Sequence, residues 1–363
     1  MKCPIVIAAG GTGGHVVPAL AVAAVLNSRD VPVVWFGTQS GLEARMVPAQ
    51  GIQIEWISVA GLRGKNLVQR LLGPFRIIRS CIQSVALIHR VKPRAVLGMG
   101  GYVSGPVGIA ALLLRKPLIL HEQNAVAGMT NRYLSKFATR VFCAWPGAFD
   151  TSRDAVAIGN PVRAEVASIA QLIRVEGDES ARSDPDAPMR ILVVGGSRGA
   201  RALNEVVPAA VALLGESLAI VHQAGSQDVQ RVRDSYVDAP KSTVTVVDFI
   251  DDMSTAYQQA DLIICRSGAM TVTELSAMGL PAILVPFPFA VDDHQTLNAR
   301  FLSDNGAALL VPQESLTAQS LCTLLESVIN DRQRLRQMSQ AARACFSAGA
   351  AETVASALLE VSH

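Results

Sequence analysis

The chain has 363 residues, half of them hydrophobic, more than one ordinary core uses, so about two domains are expected. Thirty-two basic against 30 acidic side chains leave a formal net charge of +2. With only three Trp and four Tyr as stacking platforms, that excludes a general nucleic-acid binder.

The six cysteines form no CxxC pair, and no metal-ligand spacing links them to the six histidines; several sit in apolar strand-like runs, as buried cytosolic thiols do. The N-terminus enters a strand directly, without the shape of a signal peptide, and apolar runs such as residues 107–114 fall far short of a membrane span. A soluble, cytoplasmic protein is expected.

Residues 5–9 form an apolar run that reads as a fully buried strand, followed by Gly10-Gly-Thr-Gly-Gly-His15 and a helix over about 17–26. Strands are predicted at 33–36, 54–59, 95–97, 118–120 and 141–143, separated by helical patterns. This alternation predicts an α/β, doubly wound parallel sheet. The Gly-rich turn does not make a dinucleotide site. GxGxxG counted from Gly11 meets Val16 where a small residue is required, and the second strand ends Phe36-Gly-Thr-Gln39 without the ribose-binding acid.

A second start follows at Arg190: a strand over 191–194, Gly195-Gly-Ser-Arg-Gly199, then a helix to about Leu214. Further strands are predicted at 219–222, 244–247, 262–265 and 282–285. Both halves thus begin alike, which predicts two Rossmann-like domains facing one another across a cleft. The hinge is expected near Gly159-Asn-Pro161, and the charged, Pro-bearing stretch 175–188 is a surface loop. The expected division is 1–161 and 162–345, with the last helix, within 346–363, returning to the first domain.

From Trp56 to His121 there is no acidic residue, while Arg63, Lys65, Arg70, Arg76, Arg79, Arg90, Lys92, Arg94, Arg115 and Lys116 lie within it. The rest of the chain then holds 22 basic against 30 acidic residues. Blocks of one sign mark interaction surfaces or solvated faces. Arg70, Leu71, Leu72, Phe75, Arg76, Ile77, Ile78 and Arg79 combine basic and apolar side chains, which suits an anionic membrane surface better than nucleic acid.

The stretch from Cys265 to Ala299 carries the sharpest chemistry. A buried strand turns at Ser267-Gly268 into a helix over 269–278, stopped by Gly279-Leu-Pro281. Unpaired N–H groups and the positive dipole end at that helix start form an anion site. Glu274 lies one turn further in. Beside a phosphate it would repel, unless it accepted hydrogen bonds from hydroxyls such as those of a ribose; it also reads as an ordinary N-terminal acid favoured by the dipole.

GGTGGHVVPALAVA (10–23), GMGGYVSGPVGIAA (98–111), HEQNAVAGMTNRYLS (121–135), GNPVR (159–163), GGSRGARALN (195–204) and the 265–299 stretch, in this order, resemble the family of bacterial peptidoglycan glycosyltransferases that make lipid II from lipid I. The resemblance implies a GT-B fold and an inverting, metal-independent transfer of N-acetylglucosamine from UDP-GlcNAc, with no cofactor. It implies that Glu274 binds the uridine ribose and that the backbone of Ile250 reads the uracil. Ser197, Arg163 and the helix start Ala269, Met270, Thr271, Val272, Thr273 would hold the diphosphate. Gln295 and Asn124 would contact the sugar hydroxyls. Thr12, Gly13 and Gly14 join this donor-contacting set on the acceptor side of the cleft, and Tyr102, Asn131, Asn204 and Arg266 would line the cleft or the acceptor. The implied partners are UDP-GlcNAc, lipid I and the anionic cytoplasmic surface of the inner membrane, with contacts to other cell-wall and division proteins. The implied location is peripheral.

Inverting transfer needs a base for the acceptor hydroxyl while the anomeric carbon becomes cation-like. His15, at a Gly-rich turn, is one candidate, histidine being the side-chain type whose proton exchange falls nearest the working pH; it also reads as a helix-start histidine bonding a phosphate or a carbonyl. Glu122 is the other, and it also reads as a group that only orients the Asn124 loop. Asp251-Asp252 lacks the spacer of a metal-binding DxD and is rejected. Another GT-B sugar-nucleotide enzyme, an epimerase or a transferase with a soluble acceptor, is the alternative function.

Overall fold

A computed structural model describes residues 3–59, 73–149, 154–176, 187–196, 200–239 and 241–362. Arg70, Leu71, Leu72 and Ser197 therefore lie outside the described residues. The chain divides into two units, residues 1–163 with 347–363 and residues 164–346.

In the first unit seven strands run β3 (Gln53–Trp56), β2 (Val33–Gly37), β1 (Ile5–Ala8), β4 (Ala95–Gly98), β5 (Leu118–Glu122), β6 (Arg140–Cys143), β7 (Ala155–Ala157) across the sheet, every neighbouring pair parallel. Parallel sheets are covered on both faces, which is why β1, β2, β4 and β5 are buried along their whole length. Successive residues serve opposite faces. Ile5 and Ile7 enter a core shared with the helices Gly13–Ser28 and Ala350–Glu360. Val6 and Ala8 enter another with Ile88 of the helix Gly73–Val91 and Val103, Val107 and Ala110 of the helix Gly101–Leu113.

The C-terminal helix is part of the first core, with Ala351, Val354, Ala355 and Leu358 buried in it. The chain re-enters beside Gly159, where φ is +84° and a Cβ would come within 3.0 Å of the Ser347 carbonyl oxygen. Only glycine fits that crossing.

The second unit is a six-stranded sheet in the order β10 (Thr243–Val247), β9 (Leu218–Gln223), β8 (Met189–Val194), β11 (Leu262–Cys265), β12 (Ala282–Leu284), β13 (Ala308–Leu310), again parallel throughout. Ile191, Val193, Leu262, Ile264 and Ile283 join Leu203, Val207 and Val211 of the helix Arg201–Leu214 in its core. The units are both Rossmann-like, and the fold is of the GT-B class.

Three local expectations change. The first helix begins at Gly13 rather than Val17, because Thr12 is extended (φ −116°, ψ 160°) and serves as N-cap; His15 therefore sits in the first helical turn. Strand β3 ends at Trp56. Strands β7 and β13, each three residues long at a sheet edge, were not anticipated. An edge strand is half covered and shows no long apolar run.

Candidate active site

Each sheet reverses its winding beside its first strand, between β1 and β4 in one unit and β8 and β11 in the other. Ligands of open parallel sheets bind at such switch points, beyond the carboxyl ends of the strands. The loops that leave these strands carry most of the residues singled out above.

In the first unit, Thr12, Gly13, Gly14 and His15 follow β1, and Gly100, Gly101 and Tyr102 follow β4. The imidazole of His15 lies against Gly100 and Gly101: a Cβ on Gly100 would meet Cε1 at 3.2 Å, and one on Gly101 would meet Cδ2 at 3.3 Å and the Gly10 carbonyl oxygen at 2.8 Å. Both glycines also have positive φ, +85° and +74°. Any side chain there would displace the ring as well as strain the backbone.

His15 Nδ1 is 2.8 Å from Gln123 Oε1. Gln123 is fully buried, and its Nε2 donates to the His121 carbonyl oxygen (2.8 Å) and to His121 Nδ1 (3.0 Å). His121 Nε2 is in turn 2.9 Å from the Gly159 carbonyl oxygen. Burial holds the His121 pKa down at about 4, against the upward pulls of the Gly159 carbonyl and Glu122.

Glu122 is 2 % exposed and both its oxygens are occupied. Oε1 accepts from the backbone N–H and side-chain amide of Asn124, and Oε2 from the Gly128 N–H and from Asn131 Nδ2 at 2.9 Å. The carboxylate thus fastens the 124–131 turn. Asn131 is buried and also donates to the His121 carbonyl oxygen. Tyr102 packs against Gly11.

Glu43, which is fully buried, has no role assigned from the sequence. It accepts from the Gly11 N–H (2.9 Å) and from the N–H and hydroxyl of Thr38. The acid missing from the end of β2 thus reappears six residues after Gly37 and ties down the Gly-rich turn. Burial, followed by the Glu43 charge, raises the Tyr102 phenol pKa, while a Thr38 hydrogen bond opposes the shift. His121 and Gln123 also went unassigned. Their signal was period two around Glu122, which places them on one side of the strand end and Glu122 on the other.

In the second unit the helix Ala269–Met278 starts after Gly268, which is extended and provides no side-chain cap. Ala269, Met270, Val272 and Thr273 are buried, so a ligand at this helix start would meet backbone N–H groups rather than their side chains. Glu274 is 4 % exposed and accepts from the Tyr257 hydroxyl at 3.1 Å. Ser267 Oγ donates to the Gln295 carbonyl oxygen, Asn298 Nδ2 donates to the Ser267 carbonyl oxygen, and Gln295 Oε1 accepts from the Phe287 N–H. Gln295 is thereby joined to the turn before the helix. Ile250 is half-buried just after β10.

Two residues of the cleft set are held by the protein itself. Arg266 donates to the carbonyl oxygens of Val285 and Pro286 (3.1 Å each) and to Gln313 Oε1 (2.6 Å), over the Phe287 ring. Asn204, 1 % exposed, donates to Asp228 and to the Ala224 carbonyl oxygen and lies 3.1 Å from His222 Nε2. Arg163 is half-buried in the first unit. Of the patch expected to face a membrane, Phe75, Arg76, Ile77, Ile78 and Arg79 are exposed on the first turns of the helix Gly73–Val91.

Among the described residues no group of three His, Cys, Asp or Glu side chains is placed to hold a metal ion. No helix among them is long and apolar enough to cross a membrane.

Residues 5–143 match the glycosyltransferase family 28 N-terminal domain, and residues 190–354 match that family's C-terminal domain. A protein of Methylococcus capsulatus named UDP-N-acetylglucosamine–N-acetylmuramyl-(pentapeptide) pyrophosphoryl-undecaprenol N-acetylglucosamine transferase is 51 % identical over 98 % of each chain. One of the same name from Alkalilimnicola ehrlichii is 51 % identical over 99 % of each. The crystal structure of Acinetobacter baumannii MurG aligns with a TM-score of 0.82 at 41 % identity, covering 99 % of this chain and 100 % of that one. A putative UDP-N-acetylglucosamine 2-epimerase from Listeria monocytogenes (TM-score 0.67, 14 % identity, 99 % and 96 % covered) shares the fold alone. With both domains matched in order and full-length relatives at half identity, the chain belongs to the MurG family within glycosyltransferase family 28.

Proposed function

We propose that this chain transfers N-acetylglucosamine from UDP-GlcNAc to the C4 hydroxyl of the N-acetylmuramyl unit of undecaprenyl-pyrophosphoryl-MurNAc-pentapeptide (lipid I), with inversion, giving lipid II and UDP. The observation that carries this reading is full-length identity of 51 % to relatives whose names state that transfer. The alternative, an epimerase or a transferase with a soluble acceptor, rests on likeness of fold alone.

In this reading residues 162–345 bind the donor, and residues 1–161 with the C-terminal helix bind the acceptor and the membrane. The donor diphosphate meets the start of the helix Ala269–Met278, with Ser197 and Arg163. Glu274 takes the ribose hydroxyls, Ile250 the uracil, and Gln295 with Asn124 the sugar. Thr12, Gly13, Gly14, Tyr102 and Asn131 flank the reacting groups. His15 removes the acceptor proton as the C4 oxygen bonds to the anomeric carbon and the bond to the UDP phosphate oxygen breaks. Glu122 already has four donors on its two oxygens, which supports an orienting role for it. The helix dipole and Arg163 stabilise the departing diphosphate, so the reaction needs no metal. The exposed Phe75, Ile77 and Ile78 with Arg76 and Arg79 bind the enzyme peripherally to the anionic cytoplasmic face of the inner membrane, near other cell-wall and division proteins.

The test is incubation with labelled UDP-GlcNAc and lipid I. Labelled lipid product and free UDP are expected, at a rate that EDTA leaves largely unchanged. Turnover of UDP-GlcNAc to an epimer, or transfer only to soluble acceptors, would overturn the reading.

A further inference from the structure

We infer that Gln123 and His121 are positioning residues that fix the tautomer of His15, holding its proton on Nδ1 and leaving the Nε2 lone pair open toward the acceptor. This deepens the proposed function and rests on its reading of His15 as the base.

The deduction starts from the group that has no choice. The Gly159 carbonyl oxygen can only accept, so the His121 nitrogen 2.9 Å from it, Nε2, must carry a proton. His121 is buried and its pKa lies at about 4, so the ring is neutral near pH 7 and its Nδ1 is an acceptor. Gln123 Nε2 faces that Nδ1 and the His121 carbonyl oxygen, two acceptors at 3.0 and 2.8 Å. It must therefore be the amide nitrogen: the reverse orientation would set the amide oxygen against a carbonyl oxygen. Gln123 Oε1 is then fixed facing His15, 2.8 Å from Nδ1. An amide oxygen only accepts, so His15 Nδ1 carries the proton. In the neutral ring Nε2 is then the nitrogen without a proton, and it has no hydrogen-bond partner among the described residues.

Each contact is fixed by the one before it, from a backbone carbonyl to the reacting ring. The ring occupies the space left by the missing side chains of Gly100 and Gly101, where an added Cβ would come within 3.2–3.3 Å of Cε1, Nδ1 and Cδ2. During transfer the acceptor hydroxyl gives its proton to Nε2 as its oxygen bonds to the anomeric carbon and that carbon's bond to the UDP phosphate oxygen breaks, releasing UDP. The Nδ1 proton does not move, and Gln123 Oε1 faces the imidazolium that forms. The ring then releases the Nε2 proton to solvent. Fixing a functional histidine through the partner of its other nitrogen is a recurrent device, and losing such a partner costs about ten- to a hundredfold.

The experiment is ¹⁵N NMR of the full-length protein labelled at histidine, with kinetics of matched variants. In the parent, His15 should show a protonated Nδ1 and an unprotonated Nε2; a proton on Nε2 overturns the inference outright. Gln123→Met keeps the volume and removes all three amide contacts. It should return His15 to Nε2–H, lower kcat by about ten- to a hundredfold and leave KM for UDP-GlcNAc near the parent value. An unchanged tautomer in this variant also overturns the inference. If it does not fold, the parent spectrum decides alone. In a His15→Ala background, adding Gln123→Met should cost little more, because residues acting through one group are non-additive. Independent losses would make Gln123 merely structural. The base assignment fails separately, if His15→Ala keeps the parental kcat whatever its tautomer.

Discussion

At the scale of single residues, the site is built from buried polar groups whose partners are mostly backbone atoms. Glu274 has lost nearly all its solvent and shares a hydrogen bond with Tyr257. A buried carboxylate kept beside an anion-binding helix start must be matched by donors. In the proposed donor complex ribose hydroxyls would add to these donors, and a charge-assisted hydrogen bond contributes about 1.5–3 kcal/mol. Glu274→Gln and Glu274→Ala should therefore weaken UDP binding by roughly ten- to a hundredfold, read by calorimetry on variants whose melting shows them folded. Unchanged affinity would remove Glu274 from the donor site. The residue's place one turn into a helix was legible from spacing alone. Its hydrogen bond to Tyr257 was not, nor were Gln123 with His15 or Glu43 with Gly11. These pairs are 17, 108 and 32 residues apart, and short-range periodicity carries no information about which polar groups meet at that range.

Elements were more legible, for a physical reason. A strand covered on both faces is largely apolar, so β1, β4 and β11 stand out as uninterrupted runs, and β5 and β8 do so over residues 118–120 and 191–194. The helix Ala269–Met278 ends where Gly279 turns left-handed at φ 60°, the stop that Gly-Leu-Pro marks in the sequence. The helix Gly73–Val91 has a different character. Phe75 is 71 % and Ile78 57 % exposed, and Ile82, one turn on from Ile78, is 66 % exposed, on a helix with no acid in its first turn. Apolar surface among basic side chains is the composition that an interaction site presents. If the partner is an anionic bilayer, binding needs both kinds of residue, since a patch this small is weakly held by burial alone and charge is screened beyond about 8 Å at physiological salt. Reversing Arg76 and Arg79 to Glu should lower co-sedimentation with anionic vesicles while activity on a short-chain, water-soluble acceptor stays near normal. Added salt should release the parent protein. Equal vesicle binding by parent and double reversal would reduce the patch to a solvated face.

At the scale of the whole molecule, each unit encloses one histidine that burial keeps neutral. His121 sits in the first and His222 in the second, both with pKa values lowered to about 4 from an ordinary 6.5. His222 lies between the Tyr236 hydroxyl and Asn204 Oδ1, at 2.9 and 3.1 Å, and burial is the cause of its lowered pKa. Between about pH 6.5 and 4 the unfolded chain binds protons that the folded one refuses, so stability falls as the pH is lowered through that window. At pH 5 the loss is roughly 2 kcal/mol for each histidine, about 4–8 °C in the melting temperature of a unit this size. The carboxylates whose pKa values are depressed, Asp228 by Arg231 and Glu205 by Arg201, act lower. Their contribution is intact above the usual carboxylate range and is lost only as the pH falls through it, so pH 5–6.5 isolates the histidines. Calorimetric melting from pH 7.5 to 5 should show both units weakening. His222→Gln should flatten the slope for the second unit and leave the slope of the first in place, and His121→Asn should do the reverse. A melting profile independent of pH over this range, or a parental slope in both variants, would show that the buried rings take up their protons without cost to either core.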